Sequence, residues 1–436
     1  MARQLHINLF VQSRGHHEGS WRHPKATPKA LTDISYLQEM AQLAERGKLD
    51  SIFLADQLNV TQDATRAPRN WLEPITVLPA IAAVTERIGL IATASSTYSE
   101  PFNLARQFAS IDHISGGRAA WNIVTSWSAA AASNFGDDNQ ISHADRYVRA
   151  EEYIQVVKAL WSSWDEGAIV DNRATGEYIR EGSFRPINHK GALYSVAGPL
   201  NAPRGPQGRP VLVQAGSSDT GKAFAARHAE AVFTAHLELK TAKDFYSDLK
   251  SRASEFGRDP KHVIILPGLS PMIGSTESEA RQFSEELDAL TDPEVGRKRL
   301  SARFGGYDFS HLPLDVPLRP EDLPDPETVE AARSRAETIV GFVKREQATL
   351  RQLLAKLAGA RGHFTFAGTP NQVADLMQTW VEAKAADGFN LMPPVLPWMA
   401  ETFIDEVLPI LRKRGLFRED YSGSTLRDHL GLPKPN

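Results

Sequence analysis

The chain has 436 residues, 42% of them hydrophobic, a formal net charge of −4 and no cysteine. That is ample apolar material for a large core; it excludes disulfides, thiolate metal sites and cysteine nucleophiles, and without a long basic block neither nucleic acid nor an anionic membrane surface is an expected partner. No window approaches the roughly 18 apolar residues of a membrane-spanning helix, and the N-terminal residues lead into a strand-like segment without a signal peptide's apolar stretch, so a cytoplasmic protein is expected.

Leu5–Val11 reads as a first strand, followed by a His-, Gly- and Pro-rich loop and a helix over Thr32–Gly47. Ser51–Ala55 is a second strand, with Asp56 at its end, and Glu73–Thr85 is its helix. Ile88–Thr93 and Pro101–Ile114 form the third unit; Ala119–Thr125 is the fourth strand, separated by a small-residue loop from a helix over Asp145–Trp164. The turn-rich run 165–209 holds an irregular hairpin. Val211–Gln214 with Asp219–His228, then Ala231–Thr234 with Ala242–Phe256, are units five and six. Val263–Leu269 is strand seven and is followed by a long interruption, 275–366, charged and helical at both ends. Pro370–Ala386 resumes as helix, Phe389–Met392 is strand eight, Ala400–Gly415 is the last helix, and 416–436 is a turn-like tail.

Eight strands each followed by a helix predict a parallel sheet closed into a (β/α)₈ barrel, read as one domain over 1–436. An open doubly wound sheet is the alternative. The two long insertions, 165–209 and 275–366, follow strands four and seven, and loops that follow strands lie on the catalytic face of a barrel.

The stretch PVLVQAGSSDTG, Pro210–Gly221, is a short β-branched run that turns on small residues into a helix. Unpaired backbone N–H groups, two hydroxyls and the positive end of the helix dipole then converge, which suits a phosphate. Asp56, Thr93, Asn122 and Ser217 fall at the ends of four consecutive strands and would meet at one barrel mouth as a ligand cradle. His143 and Tyr147, four apart at a helix start, share one face and could both donate to an anion. His16, His17, Glu18 and His23 match no common zinc spacing, so no metal is expected. There is no nucleotide-binding G-x-G-x-x-G after a strand, no P-loop and no G-x-S-x-G elbow.

DSIFLAD (50–56), IGLIATASSTYSEPF (88–102), ISGGRAAWNIVTS (114–126), NFG (134–136), GPLNAPRGPQGRPVLVQAGSSDTG (198–221), LPGLSP (266–271), GTP (368–370), GFNL (388–391) and the tail with RGLFR and TLRDHLGL occur in order along nearly the whole chain. Through them the sequence resembles the bacterial-luciferase-like flavin monooxygenases, in the branch that holds the nitrilotriacetate, EDTA and dibenzothiophene sulfone monooxygenases and the pristinamycin synthase large subunit. The resemblance implies a TIM-type barrel that takes reduced FMN from a separate NAD(P)H:flavin reductase, which need only release it by diffusion. It implies reaction with O₂ to a flavin 4a-hydroperoxide that passes one oxygen atom to a small organic substrate, and a homodimer or homotetramer. By motif position the FMN contacts fall on Asp56, Thr93, His143, Tyr147 and Ser217, with Asn122 and Ser218 as further candidates.

No general acid or base stands out. Phe10, His17, Trp21, Asn59, Trp127, His311 and Met392 are candidates for the substrate pocket, and their aromatic character leans toward an uncharged or aromatic substrate; Arg22 and Arg66 argue for a carboxylate. The 275–366 insertion is a candidate lid. Two other readings share the barrel: a deazaflavin-dependent oxidoreductase and a non-catalytic flavin-binding protein.

Overall fold

The computed structural model describes residues 4–60, 64, 68–126, 128–136, 141–329, 333–360 and 362–435. Thirteen strands occur among them: β1 (His6–Val11), β2 (Ser51–Leu54), β3 (Gly89–Ser95), β4 (Ala119–Val124), the short β5 (Ile169–Asn172), β6 (Glu177–Ile179), β7 (His189–Lys190) and β8 (Ser195–Val196), then β9 (Val211–Gln214), β10 (Ala231–Thr234), β11 (Ile264–Ile273), β12 (Phe364–Gly368) and β13 (Gly388–Leu391). The helices are α1 (Ile34–Arg46), α2 (Pro74–Ala82), α3 (Pro101–Ile114), α4 (Ala129–Ala132), α5 (His143–Trp161), α6 (Asp219–His228), α7 (Leu239–Glu255), α8 (Glu277–Ala289), α9 (Pro293–Arg303), α10 (Arg333–Glu346), α11 (Leu350–Ala360), α12 (Pro370–Glu382), α13 (Trp398–Thr402), α14 (Leu408–Lys413) and α15 (Leu426–His429). None of them is long and apolar enough to cross a membrane.

Eight parallel strands close the barrel in the order β1-β2-β3-β4-β9-β10-β11-β13, with β13 pairing back onto β1. These are the eight strands expected from the sequence. The period of two along each strand sorts the side chains. Leu9, Val11, Ile52, Leu54, Leu90, Ala92, Trp121 and Ile123 face outward into the helix layer. Phe10, Phe53, Ile91, Ala120, Val211, Val213, Phe233, Leu266 and Met392 fill the interior as a separate cluster.

Two features depart from the simple expectation. β12 pairs with the far half of β11, from Leu269↔Phe364 to Ile273↔Gly368, so β11 outlasts the barrel and carries a ninth strand above its rim. The segment 165–209 comes after α5, not directly after β4, and therefore connects a helix to a strand. Such connections lie at the end of the barrel opposite the catalytic face. Its contacts agree: Gln207 Nε2 donates to the Ala119 carbonyl at the start of β4, and Glu166 pairs with Lys434 in the tail at 2.6 Å.

The tail closes that same end. Leu426, Leu430 and Leu432 join the interior cluster, and a side chain on Gly89 would meet Leu426 at 2.4 Å, so only glycine starts β3 beneath the plug. Arg427 holds Glu230 through two bonds of 2.8 and 3.0 Å, and Arg418 pairs with the fully buried Asp50. The 275–366 insertion packs on an apolar cluster of its own, from Leu300, Phe304, Phe309 and Leu318 to Val343, Leu350, Leu353 and Leu357.

Candidate functional site

Thr93 and Asn122 are register partners on β3 and β4, both buried and on the inward-facing positions of their strands. Asn122 Nδ2 donates to Thr93 Oγ1 at 2.9 Å, which leaves Asn122 Oδ1 buried with no protein partner. A buried amide oxygen that forgoes a hydrogen bond costs about 1–3 kcal/mol, so the position is adapted to an acceptor role toward something else.

A second group forms where α5 and α6 begin side by side. Ser142 caps α5, accepting from Asp145 N at 3.1 Å, and Ser218 caps α6, accepting from Gly221 N at 3.1 Å. The His143 and Tyr147 rings lie 5.0 Å apart, as their four-residue spacing requires. His143 Nε2 is 3.4 Å from Ser218 Oγ. Burial lowers the His143 pKa, and the nearby Arg146 lowers it further, so the ring is disposed to be neutral. Burial raises the Tyr147 pKa, against the hydroxyls of Ser218 and Thr125; the phenol stays a donor. Gly216 and Gly221 make room for it: a Cβ on either would stand 2.9 Å from Tyr147 Oη. Ser217 is exposed at the lip of this cradle, and the buried Gln214 leaves its Oε1 without a partner.

Asp56 lies just past β2, half-buried, with Oδ1 accepting from Gln57 N at 2.8 Å. Burial raises its pKa, and Glu73 adds repulsion. The next loop is tied to the fourth unit by Asn134 Nδ2, which donates to the Leu58 carbonyl at 2.8 Å. Asn59, beside it, has a buried and unpartnered Oδ1.

Arg146 has no counterpart among the residues expected at the cofactor end. It is buried on the first turns of α5 and donates to the Ser126 carbonyl at 2.8 Å, with no carboxylate partner among the described residues and Nε unbonded. Ser126, at φ 39°, passes a bond of 2.7 Å to Ser95 at the end of β3. One guanidinium on α5, the helix of Tyr147, thus ties to the ends of β3 and β4, the strands of Thr93 and Asn122, and leaves net positive charge beside the cradle. Its place between His143 and Tyr147 was the available signal.

The expected substrate residues divide. Phe10 and Met392 are in the barrel interior. Phe10 stacks on Phe53 at 4.5 Å and meets Phe233 edge-on at 5.6 Å. Two histidines complete this aromatic wall: His16 tilts against Phe10 at 4.7 Å, and His363 lies parallel to Phe233 at 4.8 Å. His363, Phe53 and Phe233 were not foreseen; the inward phase of their strands marks the two phenylalanines. Trp21 is partly exposed on a turn. His17 is buried and uses both ring nitrogens, toward Asp288 Oδ1 and Gly19 N, each at 3.1 Å. His311 is exposed in the insertion beside Tyr307. Arg22 donates to the Leu290 carbonyl. Trp127 and Arg66 lie outside the described residues. No group of three or more His, Asp and Glu side chains among the described residues is arranged to hold a metal ion.

Residues 8–387 match the luciferase-like monooxygenase family. The chain is 49% identical to the N-acetyl-S-(2-succino)cysteine monooxygenase of Bacillus subtilis (strain 168), over 99% of this chain and 98% of that one. It is 47% identical to nitrilotriacetate monooxygenase component A of Aminobacter aminovorans, over 99% and 97%. The solved EDTA monooxygenase of Chelativorans sp. BNC1 superposes with a TM-score of 0.86 at 36% identity, covering 99% of both chains. A closed parallel barrel, full-length similarity to named monooxygenases and the family match lead to one conclusion: this chain belongs to the luciferase-like monooxygenases and is a flavin-dependent monooxygenase.

Proposed function

We propose that the chain is the oxygenase component of a two-component system, taking reduced FMN from a separate NAD(P)H:flavin reductase and using O₂ to oxygenate a small organic substrate. The observation that carries the FMN assignment is the cradle itself. Glycine at 216 and 221, the Tyr147 hydroxyl, the capping Ser218 and the start of α6 make a concave donor set for a phosphate. Asn122 Oδ1 and Gln214 Oε1 are orphaned acceptors beside it. This set fits a flavin mononucleotide, which carries one phosphate and a ring with N–H donors. The nitrilotriacetate relative, named as a component A, supports a reductase partner for this chain.

Bound reduced FMN would supply the two electrons that activate O₂; the chain's residues bind, orient and exclude water. Ser217, Ser218 and Tyr147 hold the phosphate, with Arg146 balancing its charge. His143, neutral, meets the phosphate end or the ribityl chain. Thr93 fixes the Asn122 amide, so that its free oxygen accepts from the ring or ribityl. Asp56 sits at the same mouth as a polar partner. The wall of Phe10, Phe53, Phe233, His16, His363 and Met392 offers the substrate a largely apolar face.

The test is an anaerobic titration with reduced FMN, then exposure to O₂ with a generic flavin reductase, NADH and a panel of succinylated thioethers, aminopolycarboxylates, aryl sulfones and dialkyl sulfides, products being read by mass. Binding of reduced FMN and a product heavier by one oxygen atom, or its cleavage fragments, are expected. Turnover with a reduced deazaflavin and none with FMN would replace this reading by hydride transfer on the same barrel.

A further inference from the structure

We infer that Glu18 and Arg299, with His17 and Asp288, are positioning residues that clamp the loop after β1 between the 275–366 insertion and the barrel mouth, and so keep water from the reacting side of the flavin. The inference rests on the FMN reading above.

The loop is held from two sides. On the barrel side His16 N and His17 N donate to the Pro393 and Pro394 carbonyls at 2.9 and 3.2 Å, just past β13. A side chain on Gly15 would strike the Pro394 carbonyl oxygen at 2.1 Å, so the two backbones touch. On the insertion side the contacts come from three helices, α8, α9 and α11. Glu18 N donates to the Ala358 carbonyl of α11 at 3.0 Å. The Glu18 carboxylate pairs with Arg299 of α9. His17 Nε2 donates to Asp288 of α8, and Arg22 reaches the Leu290 carbonyl beyond it at 2.8 Å. Gly19 passes so close to α8 that a Cβ would stand 2.5 Å from the Leu287 carbonyl oxygen.

The Glu18–Arg299 pair is largely buried, with side-chain exposures of 9% and 20%. An ion pair so desolvated is held in place, because losing either partner strands a charge. What it holds is functional: His16, two residues from Glu18, donates through Nε2 to the Phe10 carbonyl at 2.9 Å and covers the Phe10 ring. The insertion therefore reaches the aromatic wall through this loop.

Reduced FMN left with O₂ and water gives oxidised FMN and hydrogen peroxide, two electrons and two protons passing to O₂. Shielding slows that loss. The variants are R299Q, E18Q, the charge-reversed E18R/R299E and the milder D288N. Hydrogen exchange is followed on the flavin-free protein, and FMN re-oxidation with peroxide release on protein loaded with reduced FMN and mixed with O₂ without substrate. In R299Q the amides of residues 16–19 should exchange about tenfold faster or more, with β3 and β4 unchanged, and peroxide release should accelerate several-fold. E18R/R299E should recover a substantial part of both effects, and D288N should shift them in the same direction but less. Unchanged exchange at 16–19 in R299Q and D288N, equal loosening of β3 and β4, or faster exchange without faster peroxide release would each overturn the inference. Wild-type protein that never binds reduced FMN would instead defeat the cofactor reading, and the exchange measurement would still report on the clamp.

Discussion

Gly216→Ala is the sharpest probe of the cradle. A Cβ at 216 falls 2.3 Å from Gln214 Nε2, 2.9 Å from Tyr147 Oη and 3.1 Å from Gly221 Cα. Carbon contacts settle at about 3.5–4.0 Å. The glutamine amide is the end of a flexible chain and can swing away. Tyr147 is less free: its ring packs against His143 at 5.0 Å and edge-on to Phe224 at 5.9 Å. The methyl must therefore push the phenol oxygen out of the cradle. Overpacking of this kind costs about 1–3 kcal/mol, and a hydrogen bond to a charged group contributes about 1.5–3 kcal/mol. The two costs are alternatives, since the strain is relieved by giving up the bond. The Kd for reduced FMN should then rise about 10- to 150-fold. Tyr147→Phe should fall in the same range. In the double variant the oxygen that the methyl strikes is gone, so Gly216→Ala should add little on top of Tyr147→Phe. Anaerobic titration of reduced FMN, with thermal melts to confirm folding, measures all three. A folded Gly216→Ala protein with unchanged Kd, or strict additivity in the double variant, would refute the reasoning.

Three further outcomes are expected. Ser217→Ala should weaken reduced-FMN binding, and an unchanged Kd removes it from the site; Ser218→Ala should weaken binding and also lower the melting temperature, because its hydroxyl caps α6 and a lost cap costs about 1 kcal/mol, which titration and calorimetry together measure. Asp112 is buried, and burial raises its pKa to about 6, while Gln207 Nε2 donates to it at 2.6 Å. The folded state then holds a proton that the unfolded state has released between about pH 4 and 6, so stability falls as pH rises through that window, by about 3 kcal/mol. Asp112→Asn should flatten this slope in urea unfolding across pH 4–8, and an unaltered slope would show that another group carries it. Arg427→Ala strips the buried Glu230 carboxylate of its bidentate partner and leaves it Arg209 at 3.5 Å and the Leu212 N–H at 3.0 Å. It should cost about 3–5 kcal/mol in urea unfolding and leave FMN affinity of the folded protein alone, and a loss below about 1 kcal/mol would mean that the tail is not anchored there.

The barrel was legible because its signals are local. Each strand is a short apolar run bounded by turn residues, each is followed by a segment of helical spacing, and the β-then-α order repeats eight times. The cradle was legible for the same reason: a small-residue turn after β9 leading into a helix and a His and Tyr four apart are short-range patterns. Arg146 was passed over because an arginine on a helix reads as a solvated charge, and only packing against the β4 loop shows it buried. β12 was missed because FTFAG sits at the end of the insertion and its partner is the unforeseen extension of β11. The face on which 165–209 lies turned on whether α5 precedes it, a matter of connection order more than composition.

The substrate side was far less legible, and the reason is physical. Its wall and the support behind it are assembled from segments distant in sequence: Phe10 on Phe233, His363 on Phe233, His17 on Asp288. No short-range pattern encodes such a meeting, since each side chain is set by the packing of another element. The cofactor end depends instead on turns and caps rooted in the barrel. Changes in the insertion or in the β1 loop can therefore reshape what the mouth admits while the cradle keeps its geometry. On this arrangement the two ends are nearly independent: a substitution at 299 or 288 should alter substrate handling and peroxide loss at constant FMN affinity, and one at 216 or 147 should do the reverse.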